Sequence, residues 1–232
     1  MKNILLLLLL WSLGLKAHGA EKKFTVVTVD PQREQLALFL NDEAGRPFKD
    51  FARLSAWLEG RGKQLALAVN AGMYHANFAP VGLLVQQGRQ AAPLNLDDGA
   101  GNFFMKPNGV FLLGAGGPRV IESSEYPSVR GKVRLATQSG PLLLRHGVMH
   151  PAFQANSTSR HIRNGVGVVG KKVLLVVSDE PVTFYELAAF FRDKLKCRDA
   201  LYLDGSISRL YSRELGRNDP GAQLGPILGV IQ

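Results

Sequence analysis

The stretch Asp199-Ala200-Leu201-Tyr202-Leu203-Asp204-Gly205-Ser206-Ile207-Ser208-Arg209-Leu210-Tyr211 decides how this chain is read. It predicts a short apolar strand ending on a carboxylate, a Gly-Ser turn, and a second strand beyond it. Asp-Gly after an apolar run is first of all a turn signal. A carboxylate at the mouth of a buried strand, with a glycine beside it for close approach, is also a common way to begin a site. The rest of the chain decides between these readings by supplying, or failing to supply, partners for Asp204.

With 232 residues, 46% of them hydrophobic, the chain is long enough for one substantial core and short for two. Its first twenty residues read as a secretory leader. Lys2 opens a basic start, Ile4 to Leu10 form an almost pure leucine run, and Ala17, Gly19 and Ala20 suit a cleavage site after Gly19 or Ala20. The apolar run of about a dozen residues is short for a membrane span, and no later segment is long and apolar enough. The expectation is a signal peptide over 1–20 and one domain over 21–232, exported to a bacterial periplasm or secreted, with no stable membrane insertion after cleavage. Loss of Lys2 and Lys16 lowers the formal charge from +9 to +7. The cations are scattered and form no block, which argues against nucleic acid and suits anionic glycans or phosphorylated sugars. Cys197 is the only cysteine, so no intramolecular disulfide or thiolate cluster forms. Its setting predicts a half-buried structural thiol.

Phe24 to Val29 and Glu34 to Leu40 read as two strands, with Asp30-Pro31-Gln32-Arg33 suiting a hairpin between them. Phe51, Leu54, Trp57 and Leu58 recur at helical spacing, and Gly60 and Gly62 stop that helix. Gln64 to Val69 is a buried strand that stops on Asn70-Ala71-Gly72-Met73-Tyr74, and Gly82 to Gln87 is another. Asn102 to Leu113 reads as strand, turn, strand around Pro107-Asn108-Gly109. Strands follow near Arg119 to Ile121 and at Leu135 to Gln138, the second running into Ser139-Gly140-Pro141. Gly165-Val166-Gly167-Val168-Val169-Gly170 matches the dinucleotide fingerprint by letter. The residues after it, Lys171 to Val177, form a strand, so the helix N-terminus that would receive a pyrophosphate is missing. A hairpin turning at Gly170 is the better reading. Thr183-Phe184-Tyr185-Glu186 is a capping box opening a helix whose apolar face runs from Phe184 through Phe191 to Leu195. Pro226 to Ile231 suits a last strand. The fold class that follows is α+β: a single domain of mixed, mostly antiparallel sheet with a few packed helices.

Four polar clusters lie at strand ends or in tight loops: Asn70 with Gly72 and Tyr74; Gln138 with Ser139 and Gly140; Arg160 with His161 and Arg163; Asp204 with Gly205, Ser206 and Ser208. Amides can bridge sugar hydroxyls, arginine meets phosphate oxygens in pairs, and glycine lets backbone amides reach an anion. Together they fit a phosphorylated sugar or glycan. The histidines show no metal-ligand spacing, so no metal site is assigned, no cofactor is required, and a divalent cation is left open. Oligomeric state is not legible. No nucleophile elbow or Walker loop is present.

In order along the chain, these segments resemble the phosphodiester glycosidase family, which includes the mannose-6-phosphate uncovering enzyme and many exported bacterial proteins. Asn70-Ala71-Gly72-Met73-Tyr74 resembles its Asn-Ala-Gly motif with an aromatic residue following. Asn108-Gly109-Val110, Gln138-Ser139-Gly140-Pro141-Leu142, Arg163-Asn164-Gly165-Val166-Gly167 and Glu186-Leu187-Ala188 fall where similar segments occur. Asp199 to Gly205 resembles its most recognisable strand. The chain departs at Ile207 and Arg209, where the family commonly continues with glycines and serines. The resemblance implies hydrolysis of a sugar-1-phosphodiester at the glycosidic C1–O–phosphate bond, with Asp204 activating water or steadying an oxocarbenium-like centre. Arg163, helped by Arg160, would hold the departing phosphate. Asn70, Gly72, Gln138, Ser139, Gly140, Gly205 and Ser206 would orient the substrate. Glu186 reads as a helix cap instead of a catalyst. The competing reading is a non-catalytic periplasmic glycan- or polysaccharide-binding protein of the same fold.

Overall fold

The computed structural model describes residues 17–21, 23–129, 131, 133–204 and 207–232, of which 17–21 are described as backbone only. The strands are β1 (Ala17–Glu21), β2 (Phe24–Val29), β3 (Gln35–Phe39), β4 (Leu65–Asn70), β5 (Leu84–Gln86), β6 (Arg89–Ala92), β7 (Gly109–Gly114), β8 (Gly117–Glu122), β9 (Val133–Ser139), β10 (Leu142–Arg145), β11 (Val148–Met149), β12 (Asn164–Val169), β13 (Lys172–Ser178), β14 (Asp199–Tyr202), β15 (Leu210–Ser212), β16 (Arg217–Asn218) and β17 (Ile227–Ile231). The α-helices are α1 (Phe51–Glu59) and α2 (Phe184–Ala189). The strands pair antiparallel into three sheets, ordered β1-β2-β13-β12-β14-β10-β11, β16-β15-β4-β17-β3 and β6-β5-β9-β7-β8.

Period-two alternation explains why these strands need cover on both faces. In β13, Val173, Leu175 and Val177 enter a core shared with Leu67 and Val69 of β4, Phe111 of β7 and Leu135 of β9. Leu174 and Val176 turn to the opposite face, where α2 packs with Leu187 and Ala188. The three sheets therefore enclose one common core, and each buries its outer face separately. Phe51, Leu54 and Leu58 of α1 cover the second sheet, and Tyr126 packs on the third. This is the single α+β domain expected.

Asp50 caps α1 through its side chain, and Thr183 and Glu186 form the predicted capping box on α2. The helix expected to run on to Leu195 changes after Ala189 into a π-helical turn over Phe190–Lys194, a local widening that re-aims side chains. It drives Phe191 against two glycines of β12. A Cβ at Gly167 would lie 2.7 Å from Cys197 Sγ and 2.9 Å from the Phe191 ring, and one at Gly165 would lie 3.1 Å from that ring. The Gly-Val-Gly spacing thus seats an aromatic ring on a sheet. Cys197 is fully buried, not half-buried, and burial pushes its thiol up to about 12.

Two further expectations change. β2 and β3 belong to different sheets, so Asp30 to Arg33 is a crossing turn and not a hairpin; turn chemistry dictates a reversal, not the partner. Asn102–Phe104 is a 3₁₀ turn rather than a strand. Residues 1–16 of the expected leader lie outside the described residues, and Ala17–Glu21 form β1, which pairs with β2. The hairpin at Gly170 is present, with β12 and β13 in register from Asn164↔Val177 to Val169↔Lys172.

Gly167→Ala is expected to destabilise the protein by about 1–3 kcal/mol, because the added methyl overpacks Phe191 and Cys197. Urea denaturation measures this, and an unchanged midpoint would show that the β12 glycines are not there for packing.

Candidate active site

The chain crosses between the three sheets at one buried junction. β4 leaves the second sheet at Asn70, β9 leaves the third at Ser139, and the chain after β14 leaves the first at Leu203 and Asp204 to enter β15 in the second. The peptide groups freed where a strand leaves its ladder need other partners. Here the three exits bond to one another. Ser139 Oγ donates to the Leu203 carbonyl, and the Gly72 amide donates to Thr137 Oγ1 at 3.1 Å.

Asn70 and Asn164, 2% and 1% exposed, are the centre of this junction. Asn164 Nδ2 donates to Asn70 Oδ1 at 3.1 Å and to the Asn70 carbonyl at 3.0 Å. Asn70 Nδ2 donates to Asn164 Oδ1 at 3.3 Å. The remaining capacity of both amides goes to the segment that carries Asp204. The Asp204 amide donates to Asn164 Oδ1 at 3.1 Å, and the Arg209 amide donates to Asn70 Oδ1 at 2.9 Å. Ser208 Oγ closes the turn by donating to the Asp204 carbonyl at 2.8 Å. The loop from 204 to 209 is thus held at both ends by one buried amide pair.

Asp204, 9% exposed, lies within electrostatic reach of the Tyr74 and Tyr202 phenols, the first of which also feels Arg209 and the second Arg163. Burial pushes the Tyr74 phenol up to about 12; the Asp204 carboxylate adds to that rise and Arg209 opposes it. Burial also raises Tyr202, against the pull of Arg163 and with a further push from Asp204. Both arginines are buried, Arg163 to 2% and Arg209 to 8% exposure. Arg163 donates from Nε to the Val182 carbonyl, from Nη1 to the Tyr202 hydroxyl and from Nη2 to the Ser159 carbonyl, with its guanidinium 3.8 Å over the Phe184 ring. Arg209 donates from Nε to the Asp219 carbonyl and from Nη1 to the Ala222 carbonyl, both at 2.9 Å. Among the described residues neither guanidinium forms an ion pair with a carboxylate. Beside the loop opens a cleft of about 490 Å³ whose lining includes His161, Ile207, Ser208, Arg209 and Gly221.

The residues expected to orient substrate separate into layers. Asn70, Ser139 and Asp204 converge. Gly72 and Gln138 lie one layer behind: a Cβ at Gly72 would come within 2.3 Å of the Gln138 carbonyl oxygen. Gln138 Oε1 accepts from the Leu83 and Asn95 amides, and its Nε2 donates to the Asn95 carbonyl and Ser123 Oγ. That side chain is spent on the scaffold. Gly140 packs against the Phe103 carbonyl. Arg163 is enclosed behind Tyr202, and Arg160 pairs with Glu186 at 3.0 Å on the surface. Gly205 and Ser206 lie outside the described residues. Among the described residues no three acidic, histidine or cysteine side chains gather as a metal site. Sequence reasoning passed over Asn164, whose one signal is a lone amide opening an apolar strand, and treated Arg209 as a mark of divergence.

Gln138→Ala is expected to cost about 2–4 kcal/mol, because it strips two buried and two part-buried groups of their partner. Urea denaturation tests this; unchanged stability would free Gln138 for a role at the substrate.

Residues 63–231 match the phosphodiester glycosidase family. The uncharacterized protein YigE of Escherichia coli (strain K12) is 35% identical over 188 residues, covering 80% of this chain and 73% of that protein. Among solved structures, the catalytic domain of zebrafish N-acetylglucosamine-1-phosphodiester alpha-N-acetylglucosaminidase, auto-inhibited by its pro-peptide, superposes with a TM-score of 0.62. It is 15% identical, with 89% of this chain and 76% of that one covered. A putative exported protein of Burkholderia pseudomallei K96243 has a TM-score of 0.57 at 12% identity, with 89% and 73% covered. These two structures share the fold, and the sequence matches carry the assignment: the chain belongs to the phosphodiester glycosidase family.

Proposed function

We propose that the chain is an exported hydrolase that cleaves the bond between a sugar's anomeric carbon and the oxygen of a phosphodiester, in an envelope or extracellular glycan. Within the family, the observation that carries this reading is the charge at the three-sheet junction. One carboxylate shares the site with two buried guanidiniums, and neither of these pairs with a carboxylate among the described residues. A buried cation solvated only by carbonyls and hydroxyls favours an anionic ligand. A phosphodiester supplies that anion, and a neutral glycoside does not.

In the reaction, water adds to the anomeric carbon, the C1–O bond breaks, and the phosphate monoester leaves with its oxygen and the bond's electron pair. The leaving group is already stable as an anion, so a strong general acid is unnecessary. Asp204 draws the proton from the attacking water and faces the positive charge growing on the sugar. Arg163 acts through its charge from behind Tyr202, favouring the phosphate without gripping it. Asn70 and Ser139 serve the substrate through the loop they hold. Gly205 and Ser206, next in the chain, are the expected donors to phosphate oxygens. Export rests on the leader and accords with the exported relative; among the described residues no helix is long and apolar enough to cross a membrane.

Asp204→Asn is expected to lower kcat on a sugar-1-phosphodiester by about 10²- to 10⁴-fold, the usual worth of a positioned base, with the fold intact by circular dichroism. Full turnover in that variant would overturn the assignment.

A further inference from the structure

Arg209 is held more firmly than a surface cation needs to be. Its amide is bound by Asn70 Oδ1, its Nε and Nη1 are taken by the Asp219 and Ala222 carbonyls, and its guanidinium lies 5.2 Å over the Phe51 ring. These contacts fix the plane of the group and occupy Nε and Nη1. Nη2 makes no hydrogen bond to protein among the described residues, although the side chain lines the cleft beside the Asp204 loop. A guanidinium has five N–H donors, so an Nη2 with both hydrogens unspent is a donor group open to an anionic acceptor.

His161 lines the same cleft. Its backbone is pinned by a two-way bridge with Val182 at 3.2 and 2.9 Å, so the exposed imidazole is carried on a fixed base. Ser208, between them in the lining, is already spent: its hydroxyl lies 2.8 Å from the Asp204 carbonyl and 3.3 Å from Asn164 Oδ1. Among the described residues, the polar side-chain groups left open on this wall are thus the Nη2 of a guanidinium and an imidazole, both able to donate to an anion.

We propose that Arg209 Nη2 and His161 form an anion subsite that receives the phosphate of the substrate, next to the loop that carries Asp204. This rests on the hydrolase reading above and adds to it the group that makes contact with the phosphate. Arg163 supplies charge from the interior, and Arg209 with His161 supplies hydrogen bonds from the cleft. Arginine is preferred to lysine here because its planar group, fixed through Nε and Nη1, still leaves the Nη2 hydrogens to donate to phosphate oxygens.

The test is calorimetric titration of the purified protein with inorganic phosphate, for wild type, His161→Gln and Arg209→Lys, alongside turnover of a sugar-1-phosphodiester. Each substitution is expected to weaken phosphate binding about 10-fold or more, the worth of a charge-assisted hydrogen bond. The KM for the diester should rise in parallel, with a smaller change in kcat. His161→Gln alters an exposed side chain and keeps the fold, so it decides the matter even where Arg209→Lys disturbs the chain at Asp219 to Ala222. Wild type that binds no phosphate, or His161→Gln that binds it as tightly as wild type, overturns the subsite and leaves the hydrolase reading standing if turnover is seen. Phosphate binding that falls in both variants, in a protein that releases no sugar, upholds the subsite and overturns the hydrolase reading.

Discussion

The reciprocal amide bond between Asn70 and Asn164 is the constraint on which the rest of the site depends. It joins the end of β4 in one sheet to the start of β12 in another. The same oxygens then receive the amides of Asp204 and Arg209. Two buried side chains therefore settle how two sheets meet and where the loop between β14 and β15 lies. A fully satisfied buried polar network specifies one arrangement because every alternative leaves a donor or acceptor unpaired in a poor solvent. The third sheet joins through Ser139 and Thr137, which bond to the Leu203 carbonyl and the Gly72 amide.

A second consequence is electrostatic. Around the junction, loop carbonyls are available to solvate cations. Arg163 and Arg209 both use them: Val182 and Ser159 for the first, Asp219 and Ala222 for the second. Among the described residues, neither guanidinium is held by an ion pair. The positive potential is left for something else, and in a family of phosphodiester glycosidases the natural candidate is a phosphate.

Much of this was legible in the sequence, and the reason differs from element to element. The strand ending at Asp204 announced itself by an apolar run stopped by Asp-Gly, and α2 by its capping box, because both signals are local. The hairpin at Gly170 followed from two adjacent apolar runs with a glycine between them, and its φ of 60° is one that glycine adopts freely. The crossing from β2 to β3 was misread because a turn signal does not say which sheet the next strand joins. Phe103 and Phe104 suggested a strand by composition, but the chain there is a short turn with Phe103 buried. Asn164 was the largest omission. A polar residue opening an apolar strand looks like a strand boundary, and only the fold shows that it faces Asn70, 94 residues away. Arg163 drew attention for its charge, yet its burial could not be read from its neighbours in sequence.

The central claim is that the buried asparagine pair, acting as one unit, holds the loop of Asp204 in place. A double-mutant cycle on Asn70→Ala and Asn164→Ala, read by urea denaturation, tests it most directly. The account predicts that each single substitution costs about 2–4 kcal/mol by leaving buried partners unpaired. The double variant should then cost about 1–3 kcal/mol less than the sum of the two, since the second loss removes a partner already stranded. Additive costs, within about 0.5 kcal/mol, would contradict it.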